Sequence, residues 1–395
     1  MLFHPEHVQR VLVSDHRSFT KGRALTEAKR ILGEGLLTSE GELHRRQRRL
    51  LQPLFAHGRV SQYGAAMVEA AERAAARWRE AETVDVQNEM SRLTLAVVGR
   101  TLFDADVEGE AAKIGEALSE SIEMLNRFML PFSGVFERLP TATARRLRRA
   151  RARLDATIYR LIAERREVGP GGDLLSLLLL ARDDQDPTAR MSDEQVRDEA
   201  MTIFLAGHET TAVALTWTWY LLARNPAVEE RLGAELQREL GGRSPTVADL
   251  ERLRYTERVI AEAMRLYPPA WIIGRRAIVD LELDGYRISA GSIVVLSPFV
   301  THRDRRWHPE PLRFDPDRFA PEAQAGRPRY AYFPFGGGPR TCIGEGFALL
   351  EARLLLATLA QRVRFTLASD DEVALRPRVT LRPRGGLPMK VAPVA

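Results

Sequence analysis

Cysteine is almost missing: Cys342 is the one thiol in 395 residues. A lone thiol closes no internal disulfide, which fits a reducing cytoplasm. Lysine is nearly as scarce, occurring only at Lys21, Lys29, Lys113 and Lys390, so the net charge of +5 rests on arginine. Those arginines are spread among almost as many acids. No zinc-finger spacing, basic region with heptads or aromatic-basic pattern accompanies them, which argues against nucleic acid. The densest run, Arg145 to Arg153, reads as a solvated helix face. Long apolar runs are also lacking. Leu174 to Ala181 is the greasiest stretch and is far too short to cross a bilayer, so no membrane anchor is expected. The N-terminus lacks the basic-then-apolar plan of a secretory signal, and there is no internal repeat.

What remains is an ordinary globular composition, 45% hydrophobic and 28% charged, in a chain long enough to enclose a cofactor. The first two-thirds read as helix. Leu43 to Phe55 sets Leu50, Leu51, Leu54 and Phe55 among arginines, and Ala65 to Trp78 is alanine-rich. Ser192 and Gln195 form a capping box, and the helix they open has no stop before Asn225 and Pro226. That predicts roughly 30 residues, about 45 Å, enough to cross a domain. Val168 to Asp173 and Asp183 to Ala189 read as loops. The last third turns to β. Asp284-Gly285 between Leu281–Leu283 and Tyr286–Ile288 is a two-residue hairpin signal. Further strands are expected at Ile293 to Leu296, Val363 to Leu367 and Val379 to Leu381, with helix at Glu345 to Gln361. The expected fold class is mainly α with a small β region, in one domain over residues 1–395.

Four motifs carry chemistry. The first is Phe335-Gly336-Gly337-Gly338-Pro339-Arg340-Thr341-Cys342-Ile343-Gly344. A bare cysteine is most often a small buried hydrophobe; one inside this glycine-rich loop is not. The second is Glu262-x-x-Arg265, with Leu266-Tyr267-Pro268-Pro269 after it and Phe314-Asp315-Pro316-Asp317-Arg318-Phe319 downstream. Alone, such a pair is a common surface salt bridge. The third is Ala206-Gly207-His208-Glu209-Thr210-Thr211, in mid-helix, where glycine and threonine are poor formers. The plainer reading is a kink with a threonine hydroxyl bonded to the preceding turn. The fourth is His44 with Arg48, one helical turn apart.

Together these motifs resemble the cytochrome P-450 family of haem-thiolate monooxygenases, over a match running from about Phe3 to the end. The loop fits the family's F-x-x-G-x-R-x-C-x-G at every fixed position. The resemblance implies a triangular fold with a long central helix over haem b. It makes Cys342 the axial thiolate, whose electron density favours O–O cleavage. Phe335, Gly338 and Gly344 shape the loop, and Arg340, His44, Arg48 and Arg275 reach the haem propionates, with Arg276 a neighbouring alternative to Arg275. Ala206 and Gly207 open a groove over the haem. Thr210 hydrogen-bonds the oxygen being reduced, and Glu209 relays protons to it. His208 is left as packing or solvent-facing, and Glu262, Arg265 and Arg318 form a structural network. Arg45, Arg46 and Arg49 are expected to stay solvated.

The Tyr-Pro-Pro segment and the tail from Thr380 to Pro388 resemble a bacterial subgroup of carotenoid hydroxylases and terpene oxidases. That implies an apolar substrate (carotenoid, terpenoid or fatty-acid-like) and electrons from a separate ferredoxin or flavodoxin with its NAD(P)H reductase. Ile122, Phe128, Met129, Phe132, Phe204, Ala206, Trp271 and Ile272 are candidate pocket walls. The segment Phe3 to Val8 resembles a point inside the family fold, so the chain is expected to lack an N-terminal piece of about 50 residues, by fold analogy. Other readings are a peroxide-dependent peroxygenase, a non-catalytic haem sensor, or a hydrolase with Cys342 served by His302 or His308.

Overall fold

A computed structural model describes residues 1–78, 82–103, 142–169, 171–183 and 186–394. Its axis is the helix Asp193–Arg224, 32 residues long. The capping box that starts it is formed, with Ser192 accepting from Gln195 N–H and Gln195 returning the bond. Asn225 and Pro226 end it, so both sequence signals act as expected. From Val196 to Leu222 this helix is apolar or internally paired nearly all round, the pattern of a buried helix.

Around it pack Gly64–Trp78, Val86–Phe103, Arg254–Leu266 and Glu345–Ala360, which share one large apolar core. Trp217 of the central helix stacks on Tyr267 with ring centres 4.1 Å apart. A second core joins Leu50 and Leu51 to Leu154, Ile158 and Ile162 of the helix Ala142–Val168. On that helix Arg145, Arg148, Arg149, Arg151 and Arg153 are exposed, the solvated face the sequence implied. Helix Gly41–Leu51 gives way to a 3-10 turn at Pro53. On it Arg45 and Arg49 are exposed, and Arg46 is half-buried rather than solvated.

Among the described residues, two three-stranded antiparallel sheets and three two-stranded ribbons complete the molecule. In one sheet, Ile273–Ala277 lies between Phe19–Lys21 and Ile293–Leu296. In the other, Pro388–Pro393 lies between Thr83–Asp85 and Val363–Leu367. The Asp284-Gly285 hairpin forms with positive φ at both turn residues, as a two-residue turn requires. Two expectations fail. Asp183 to Ala189 is not plain loop, since Arg182–Asp183 pairs with Asp186–Arg190 as a short ribbon. The strand expected at Val379 to Leu381 lies two residues later, at Leu381–Pro383, paired with Leu375–Pro377; Arg378–Thr380 is the turn that joins them.

Glu262 and Arg265 are wholly buried. Arg265 Nε and Nη2 donate to the two carboxylate oxygens at 2.6 and 2.8 Å, and its remaining bonds go to the carbonyls of His302, Pro311 and Arg313. Arg318 Nε joins Glu262 at 3.3 Å. The network is therefore complete, as a buried charge requires, and it ties the helix Arg254–Leu266 to the segment ahead of the Cys342 loop.

Candidate active site

Between Val196 and Leu222 every residue of the central helix is buried except Ile203, Ala206, Gly207 and Thr210. Their spacing of 3, 1 and 3 puts all four on one face. This is a stripe of small side chains looking into open space from an otherwise enclosed helix. Ile203 and Ile343, the neighbour of Cys342, pack against the same apolar cluster, so the stripe and the cysteine loop border one region.

Cys342 lies deep in the molecule, yet its side chain is accessible; it lines an internal cleft. Its N–H donates to Phe335 O at 2.9 Å, closing the loop. Burial pushes the thiol's pKa up and Glu345 adds to this, while the Gly344 N–H and Arg48 work the other way. Gly338, with φ +65, has no room for a side chain: a Cβ there would sit 1.9 Å from Leu12 O. Gly336 also has positive φ, and Phe335 packs against the main core.

Beside the loop gathers a cluster of cations. Arg48 Nη1 donates to Thr341 O at 2.6 Å. Arg340 donates to Ser39 O at 2.9 Å and is paired with Glu40. Lys21 and Arg275 face each other across adjacent strands, and Lys21 Nζ donates to Leu36 O and Ser39 O. Pleating turns Arg275 inward and leaves Arg276 exposed. Glu40 faces this group, and the cations disturb one another. Burial and then Arg340 hold Lys21 down to about 7. Burial, Arg340, Lys21 and Arg48 hold His44 down to about 3, and Arg275 falls to about 10 from burial and Arg340.

A buried group of like charges is stable only with an anion among them. Glu40 supplies one such charge, and two haem propionates would supply two more, with Cys342 available as the thiolate. The residues present fit haem. Lys21 and Glu40 were not singled out in the sequence, because nothing local marks a lysine in a three-residue strand or a helix-flanking glutamate.

Lys21 is charged in the haem-free protein below about pH 7, and propionates favour the charged form. Above that pH, binding must first take up a proton. Haem affinity measured by titration of the apoprotein is therefore expected to fall as pH rises above about 7, by up to about tenfold per unit. Lys21→Met should weaken binding at low pH and flatten the slope.

The oxygen-side residues are engaged elsewhere in this structure. Thr210 Oγ1 donates to Ala206 O at 2.7 Å, the back-bond to the preceding turn. Glu209 does not face Thr210: its carboxylate accepts from Thr380 Oγ1 and Arg382 Nε at 2.6 Å each, with Arg382 Nη2 also bonded. His208 is buried, its Nδ1 2.9 Å from Phe204 O, so it packs. Phe204 is core rather than pocket wall, because it sits off the open stripe. Trp271 is half-buried, with its indole N–H on Arg378 O, and Ile272 is partly exposed. Ile122, Phe128, Met129 and Phe132 lie outside the described residues. His302 Nε2 accepts from Phe333 N–H, and His308 Nε2 lies 3.0 Å from Ala331 O. Neither imidazole serves Cys342, which removes the hydrolase geometry. No helix among the described residues is long and apolar enough to cross a membrane.

The comparisons agree with this geometry. The family model described as cytochrome P450 matches residues 1–388. The chain is 44% identical to cyclooctatin synthase of Streptomyces melanosporofaciens, over 96% of this chain and 83% of that one. It is 39% identical to cyclooctat-9-en-7-ol 5-monooxygenase of the same organism, over 91% and 79%. It is 38% identical to pentalenene oxygenase of Streptomyces avermitilis, over 94% and 82%. The crystal structure of the cytochrome P450DA heme domain superimposes with TM-score 0.91 at 30% identity, over 100% of this chain and 87% of that one. The chain belongs to the cytochrome P450 family and is a monooxygenase, an oxidoreductase of paired donors that incorporates molecular oxygen.

Proposed function

We propose that this monooxygenase hydroxylates or epoxidises a polycyclic terpenoid, with haem b held by Cys342. The observation that carries the reading is the open face Ile203, Ala206, Gly207 and Thr210 of the central helix, mostly of small residues, which shares an apolar cluster with Ile343 of the cysteine loop. The names of the relatives, a cyclooctatin synthase, a cyclooctat-9-en-7-ol 5-monooxygenase and a pentalenene oxygenase, support a terpenoid over a carotenoid or a fatty acid. For hydroxylation the balance is RH + O₂ + two electrons + two protons giving ROH + H₂O. Thiolate-ligated haem supplies the oxygen-activating chemistry when bound. The chain's residues do the rest. Arg48, Arg275, Arg340, Lys21 and His44 fix the cofactor by its propionates. The stripe excludes bulk and leaves room for substrate. Thr210 would offer a hydroxyl on the open face of the helix, and Glu209 would carry the protons that the reaction consumes in forming water. The electrons would come from a ferredoxin or flavodoxin with its NAD(P)H reductase, the donors that the resemblance implies.

The test is a binding panel of pentalenene, β-carotene and palmitic acid, read by the spin-state change of the haem. A full shift with pentalenene at micromolar concentration, followed by a mono-oxygenated product with a surrogate ferredoxin, is the expected result. A shift with palmitic acid or β-carotene alone overturns the terpenoid assignment.

A further inference from the structure

We propose that Thr380 and Arg382, supplied by the C-terminal hairpin, are positioning residues that hold Glu209 and govern its delivery of protons to the oxygen-activating face. The inference rests on the reading of Glu209 as the proton carrier. Glu209 is 4% exposed, and a bare carboxylate so placed would be unstable. All its observed bonds come from one element, the pair Leu375–Pro377 and Leu381–Pro383 with its turn. Arg382 is about a quarter exposed, so it links the buried carboxylate to the protein's rim. The other titratable group in electrostatic contact is His208 on the same helix, kept neutral by burial.

The hairpin is itself anchored where a signal could reach it. Trp217 Nε1 donates to Leu381 O at 2.7 Å, Leu381 N–H to Pro269 O at 3.1 Å, and Trp271 Nε1 to Arg378 O at 2.8 Å. The Trp271 contact joins the hairpin turn to a candidate pocket wall. In the observed arrangement Glu209 is turned to Arg382 while Thr210 bonds its own helix. Proton delivery requires the carboxylate to leave Arg382, and the hairpin sets how readily it does so.

The experiment compares the natural chain with E209Q, R382Q, R382K, T380V and E209Q/R382Q as holoenzymes. Pentalenene is the probe, and the ratio of product to hydrogen peroxide is followed against pH. R382Q is expected to lower the product-to-peroxide ratio several-fold and to alter its pH profile, because the carboxylate loses the guanidinium that holds it in place. R382K should restore most of the natural profile, and T380V should lower the ratio less. Infrared spectra of the substrate-free protein give a second readout: R382Q should shift a carboxylate stretching band that E209Q/R382Q lacks, as the Glu209 oxygens lose their guanidinium partner. If R382Q lowers only thermal stability and changes neither profile nor spectrum, Arg382 is structural and the proposal fails. If E209Q itself leaves the product-to-peroxide ratio unchanged, the reading of Glu209 fails first. A changed E209Q with an unchanged R382Q overturns the positioning role alone.

Discussion

Replacing Cys342 with serine is expected to abolish the red-shifted Soret band of the reduced, carbon monoxide-bound protein and to reduce turnover to background, while the apoprotein melts nearly as before. The two halves of this result have separate causes. A serine hydroxyl holds its proton far more tightly than a thiol, and the cleft already disfavours an anion there, through burial and Glu345. The Gly344 N–H and Arg48 oppose that effect but are matched to a thiolate, not to an alkoxide. Fold stability, by contrast, draws little on the sulfur. Its side chain faces the cleft, and the loop is held by the Cys342 N–H to Phe335 O bond, which serine keeps. A change within about 0.5 kcal/mol is expected, as for substitutions outside the packed core. The comparison needs the difference spectrum and a thermal melt of the haem-free protein. A retained red-shifted band would show that another group supplies the ligand.

Replacing Glu262 with alanine should do the reverse and remove the fold. Arg265 is wholly buried against it, and Arg318 is close by. Without the carboxylate, two guanidinium groups are stranded in a place water does not reach, and Asp315 N–H loses its acceptor at 3.0 Å. Breaking one partner of a buried pair typically destabilises by about 3–5 kcal/mol, a large share of a domain's roughly 5–15 kcal/mol. Chemical denaturation of E262A should show that loss, with haem retention falling as the segment Phe314–Phe319 loosens. E262Q, which can still accept from Arg265, should lose less. An E262A variant with a natural midpoint would mean that water enters the network freely.

Much of this was legible where structure and chemistry are written in adjacent residues. The capping box Ser192-x-x-Gln195 sets the start of the central helix, Asp284-Gly285 dictates its hairpin, and the loop Phe335 to Gly344 carries its glycines at the positions where the backbone needs them. The open face was legible in part, since Ala206 and Gly207 are too small to close it. The partners of Glu209 were not legible, because Thr380 and Arg382 belong to a hairpin far along the chain that no local pattern links to the central helix. Lys21, Glu40, Arg275 and Arg340 form one electrostatic unit from four distant stretches of chain, and no local pattern announces such a meeting. Phe204 failed as a pocket residue for a simpler reason: apolar character does not tell which face of a fully buried helix looks into a cleft.

The bonds that finish the site also set an order of events in the cell. Arg48 reaches Thr341 across 293 positions, Arg340 reaches Ser39 across 301, and Arg382 reaches Glu209 across 173. A chain synthesised from its N-terminus presents the central helix long before the cysteine loop or the last hairpin exists. Early in translation, His44, Arg48 and Glu209 stand without their partners. The clamp on Glu209 and the contacts of the cysteine loop can therefore form only after most of the chain has been made, and a nascent chain stalled before Arg382 should carry a central helix that has not yet gained its acid clamp.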